Sequence, residues 1–60
     1  SGLESLVGQN VTVFTDMRPG GKVITSDGRI LEANLKFGGF ASKGEILKVT
    51  NAEQGRLYCE

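Results

Sequence analysis

A chain of 60 residues holds one domain and has no core to divide between several, so every function must be carried by a single small fold. Seven basic residues against seven acidic ones leave no broad field that would steer a nucleic-acid backbone or gather cations. One cysteine and no histidine exclude an intrachain disulfide and a Cys/His zinc site, and the apolar runs are too short to cross a membrane.

Ser1-Gly2 reads as a cloning remnant, residues 1–5 as an N-terminal tail without a signal-peptide pattern, and 6–60 as the domain. Such a neutral, cysteine-poor domain is expected to be one piece of a longer protein. The first strand is expected near 6–15, where Val11, Val13 and Thr15 alternate with Thr12 and Phe14. Arg18-Pro19-Gly20-Gly21 suits a type II turn, with Pro19 fixing φ and Gly20 taking the positive φ. A second strand follows near 21–26, where Val23-Ile24-Thr25 is β-branched throughout. Asp27-Gly28 then signals a hairpin that pairs strands two and three antiparallel.

The third strand, near 29–37, carries the cleanest pattern, since Leu31, Ala33, Leu35 and Phe37 alternate with Glu32, Asn34 and Lys36. A short helix over 31–36 capped by Asp27 competes with it, because these are good helix formers, but glycines on both sides would leave it one or two turns. Gly38, Gly39 and Gly44 bracket a crossing to a fourth strand near 45–51, and a fifth lies near 56–60. Five short strands without a covering helix must curl to hide an apolar face, so the expected fold is all-β, a small five-stranded barrel. Val13, Leu35, Val49 and Leu57 are expected to share its interior.

No segment gathers catalytic groups. The carboxylates are scattered, and Ser42-Lys43 are neighbours that point to opposite faces of an extended chain. Cys59 shares the inward phase of Leu57 and is expected to be an inert core residue. Gly20-Gly21-Lys22 lacks the other residues of a phosphate loop, since Asp16 stands where that loop needs glycine and Val23 where it needs Ser or Thr. Neither a metal nor a cofactor nor a small-molecule substrate is expected.

What remains is surface. Phe14, Ile24, Ile46 and Tyr58 fall on the phase opposite the expected core and could form a docking patch. Arg18 and Phe40, on the loops 16–21 and 38–42, form a second candidate contact, while Pro19, Gly20, Gly21, Asp27, Gly28, Gly38, Gly39 and Gly44 are expected to shape turns. A single-stranded nucleic acid is the alternative ligand, with Phe14, Phe37, Phe40 and Tyr58 as stacking rings and Arg18, Lys22, Arg29, Lys36 and Lys43 as cations. Interleaved acids and a neutral balance argue against it.

Gly8 to Val13, Thr15-Asp16-Met17-Arg18-Pro19-Gly20-Gly21-Lys22-Val23, and Gly38-Gly39-Phe40 followed by Lys43-Gly44 resemble the C-terminal soluble domain of NfeD-like proteins. The resemblance covers about Leu6 to Glu60, departing at Phe37, where an acidic residue commonly stands, and in a longer hairpin around Asp27-Gly28. It implies an OB-fold-like barrel attached in its parent to a membrane-spanning region, which in longer members follows a Clp-like serine protease domain. It also implies partnership with stomatin-like and flotillin-like membrane scaffold proteins. The expected function is that of a non-catalytic module of an NfeD-like membrane protein, acting by protein contact. The domain itself is expected to be soluble and on the cytoplasmic side, which a reduced cysteine fits.

Overall fold

The computed structural model describes residues 2–60; Ser1, half of the expected cloning remnant, lies outside them. Five strands form where the period-two segments lie: β1 (Asn10–Thr15), β2 (Gly20–Ile24), β3 (Ile30–Leu35), β4 (Ile46–Glu53) and β5 (Arg56–Cys59). They close in the order β1-β2-β3-β5-β4, with β4 pairing back onto β1. Every pairing is antiparallel except β3 with β5. Closure removes the sheet edges, and the result is an all-β, OB-fold-like barrel.

The helix that competed for 31–36 does not form. Ala33 and Leu31 face inward opposite Gly21 and Val23, and the intervening Glu32 and Asn34 face outward. Inside the barrel, Val11, Val13, Val23, Ala33, Val49, Leu57 and Cys59 are buried, with Leu31, Leu35, Leu47 and Ala52 packed against them. Val13, Val49 and Leu57 thus share the interior as expected, while Leu35 borders it. A bulge between Val49 and Asn51 in β4 shifts the phase by one residue and brings Ala52 inward.

Both ends of the barrel are plugged. At the end where β1, β3 and β5 finish, Met17 is fully buried, its backbone exchanging hydrogen bonds of 2.8 and 3.0 Å with Ala41. At the other end the expected extension of β1 back to residue 6 is replaced by a 3-10 helix, Gly2–Leu6, with Leu6 buried and Leu3 against the core. Three residues per turn stack Leu3 and Leu6 on one side. Gly8, at φ 90°, then redirects the chain, and its N–H donates to the Val49 carbonyl at 2.8 Å.

The Arg18–Gly21 corner is not the expected type II turn. The Arg18-Pro19 bond is cis, Gly20 does not take a positive φ, and both glycines already belong to β2. The Pro19 carbonyl instead accepts the Leu35 N–H at 3.0 Å. Gly21 is needed for space: a Cβ there would meet Met17 Cγ at 2.7 Å and the Asp16 carbonyl oxygen at 2.9 Å. The Asp27-Gly28 hairpin forms as expected, with Gly28 at φ 89° and the Thr25 N–H bonded to the Arg29 carbonyl.

Candidate functional site

The groups weighed for chemistry are dispersed. Burial pushes the Cys59 thiol up to about 11, so at neutral pH it is neither charged nor accessible. The Asp16 carboxylate accepts the Lys43 N–H at 2.8 Å, Glu45 accepts the Ser42 N–H at 2.6 Å, and Glu32 pairs with Arg56. Asp27 is held below the usual carboxylate range, first by the Thr25 hydroxyl and then by Arg29, in a network that closes its own hairpin. Lys43 extends its ammonium over the Phe14 ring, 6.0 Å from the centroid, which explains its position without Ser42. Among the described residues, no set of three or more Cys, Asp or Glu converges as a metal site, and no helix is long and apolar enough to cross a membrane.

The first candidate patch is brought together in part. Thr12 of β1 stands directly opposite Ile24 of β2 and Ile46 of β4, and Ile24 in turn stands opposite Ile30 of β3. Directly paired residues share a face, so Ile30, Ile24, Thr12 and Ile46 form one row across four strands of the outer wall. Ile46 is 69% exposed and Ile30 48%, while Thr12 and Ile24 are half-buried. Phe14, in the β1 bulge, adds a ring beside Thr12. Tyr58 is not part of this patch. It pairs with Asn34 and Asn51 on the opposite wall and is half-buried there. Ile30 takes its place, a residue the alternation at 31–37 had not flagged.

The second candidate is assembled as a unit. The Met17–Ala41 bridge and the Asp16–Lys43 hydrogen bond clamp the β1–β2 connection onto the β3–β4 connection, and Arg18 lies over the Phe40 ring at 5.3 Å. Phe37, expected inside, is 79% exposed. β3 ends at Leu35, and the Gly38 N–H closes a turn on the Leu35 carbonyl, so Phe37 no longer follows the strand's phase. Gly38, Gly39 and Gly44 all take positive φ and shape this connection. A separate shallow groove of about 280 Å³ lies between the 3-10 helix and the β4–β5 turn, lined by Leu3, Glu4, Ala52 and Gln54. It contains none of the candidate residues.

Comparison with solved structures places the barrel. It is similar to the C-terminal domain of stomatin operon partner protein 1510-C from Pyrococcus horikoshii, with a TM-score of 0.87, 28% identity, and coverage of 93% of this chain and 86% of that one. It is also similar to the soluble domain of a membrane protein implicated in regulation of membrane protease activity from Corynebacterium glutamicum, with a TM-score of 0.85, 26% identity, and coverage of 93% and 90%. No protein-family model and no curated protein sequence matches the chain. The likeness read from Thr15 to Val23 and from Gly38 to Gly44 therefore extends to the whole barrel, which is similar throughout to the soluble C-terminal domain of NfeD-like proteins.

Proposed function

We propose that this chain is the non-catalytic barrel module of a membrane protein and that it acts by docking a stomatin-like or flotillin-like scaffold partner on its outer wall. The row Ile30, Ile24, Thr12 and Ile46, flanked by Phe14, carries the reading. Scattered apolar residues on a surface mean little, but three isoleucines aligned with Thr12 across four adjacent strands offer a continuous strip. The two similar solved domains support the setting, one by its origin in a stomatin operon partner and the other as the soluble part of a membrane protein. Membrane attachment comes through the parent chain, with this domain on the cytoplasmic side. Where the parent carries a serine protease domain, the chemistry resides there.

The outer face of β2 and β3 weighs against single-strand binding. Its outward residues are Gly20, Lys22, Ile24, Ile30, Glu32 and Asn34, with no ring on which a base could stack. Calorimetric titration of the chain with a purified stomatin-like scaffold domain from the same organism tests the proposal. Ile46→Asp should weaken binding by about tenfold or more, as expected for the most exposed apolar residue of the strip, while leaving the melting temperature unchanged. Equal affinity of wild type and variant would refute docking on this wall.

A further inference from the structure

The turn between β2 and β3 holds the one place in the chain where an Asp or Asn precedes glycine, Asp27-Gly28. The turn itself demands that glycine. Gly28 takes φ 89°, and a Cβ there would meet nothing within 4 Å, so backbone conformation and not space excludes other residues. The same lack of a side chain leaves the Gly28 nitrogen unshielded next to the Asp27 carboxyl. Burial gives no protection, since the Asp27 side chain is 59% exposed.

An Asp-Gly bond of this kind is chemically labile. When the Gly28 nitrogen attacks Asp27 Cγ, an N–C bond forms as the C–OH bond breaks, and the hydroxyl leaves as water with the amide proton. Water then reopens the five-membered imide. Cleavage at the main-chain carbonyl yields isoaspartate, with the backbone routed through the side chain and longer by one carbon. The sequence of steps is redox-neutral and needs only water.

In the folded hairpin both reacting groups are engaged, and Thr25 holds them. Its carbonyl accepts the Gly28 N–H at 3.0 Å, while its hydroxyl donates to Asp27 Oδ1 and accepts the Arg29 N–H at 3.0 Å. Arg29 Nε donates to Asp27 Oδ2 at 3.1 Å. Thr25 is only 5% exposed, so the barrel fixes its position. The same contacts depress the Asp27 pKa, and an ionised carboxylate is a poorer electrophile than the acid. We infer that Thr25 and Arg29 protect the Asp27-Gly28 bond from isomerisation, and that this bond becomes the modification site of the chain when the hairpin opens.

Incubation at neutral pH tests the inference, with isoaspartate read by peptide mapping and electron-transfer fragmentation. The folded chain should accumulate it about tenfold or more slowly than the chain unfolded in guanidinium, because its reacting atoms are held out of attack geometry. In the folded state Thr25→Val should raise the rate about fivefold and Arg29→Gln about twofold, as each frees part of the hairpin. Melting temperatures measured alongside separate this effect from global unfolding. Arg29 is exposed, so where Thr25→Val fails to fold, the Arg29→Gln rate decides alone. Equal rates in folded and unfolded wild type would overturn the inference, as would a wild-type rate in the folded variants.

Discussion

Alanine at Gly20 and alanine at Gly21 should have opposite effects, although the two glycines are neighbours in one strand. At Gly21 the new Cβ would lie 2.7 Å from Met17 Cγ, 2.9 Å from the Asp16 carbonyl oxygen and 3.1 Å from that of Thr15. Met17 is fully buried and seals the barrel end through its bridge to Ala41, so neither it nor the two backbone oxygens can give way. Overpacking of this kind costs about 1–3 kcal/mol, and clashes with backbone place it toward the upper end. A domain this small has about 3–5 kcal/mol in hand, so the loss takes up most of its stability and lowers the melting temperature by about 10–20 °C. At Gly20 the nearest atoms are the Asn34 side-chain amide at 3.6 Å, an ordinary contact, and φ lies outside the left-handed region. Alanine there restricts the unfolded chain and should add about 0.4–1 kcal/mol. A type II turn would reverse the order, since alanine at a positive φ costs about 1–2 kcal/mol. Thermal and urea unfolding of the two variants, followed by circular dichroism, decides the matter. If Gly20→Ala were the more damaging, both the corner geometry and the Met17 plug would be refuted.

Other outcomes follow from the same packing. Met17→Ala should remove about 2–5 kcal/mol and leave the chain largely unfolded at room temperature, which a lost urea transition would show. With the Cys59 thiol raised from 9.0 to about 11, the unfolded chain ionises first, so the Cys59 contribution to stability should be constant below pH 9 and fall by about 2–3 kcal/mol between pH 9 and 11. Cys59→Ala should abolish that slope, and a thiol reagent at neutral pH should react with wild type only on unfolding. Because the Asp27 pKa is depressed below 3.8, its contribution is complete above that pH and is lost as the pH falls through the lower folded value. Asp27→Asn should flatten the acid pH dependence of stability and lower stability at neutral pH, where the carboxylate's contribution is complete.

How much of this was legible in the sequence depends on how local each feature is. Alternation located β1 and β3 because side-chain direction follows from neighbours alone, and it placed Cys59 and Leu57 inside. It failed where the backbone departs from a simple strand. The bulge after Val49 let β4 run to Glu53, and the turn at 35–38 carried Phe37 out. The 3-10 helix was missed because its only mark is the three-residue spacing of Leu3 and Leu6. Period two assigns a residue to a face but not to a neighbour. Phe14, Ile24, Ile46 and Tyr58 were therefore all placed outside, yet only the register shows that Ile30 joins the first three while Tyr58 lies on the other wall. The parallel pairing of β3 with β5 was not anticipated, since nothing local in either segment encodes it.

The wall strip is best tested by amide shift mapping of isotope-labelled chain titrated with the stomatin-like scaffold domain. Shifts and broadening concentrated at Thr12, Phe14, Ile24, Ile30 and Ile46, with Asn34, Asn51 and Tyr58 silent, are the expected result. Perturbation centred on Tyr58 and its neighbours, or no perturbation at saturating partner, would contradict the account.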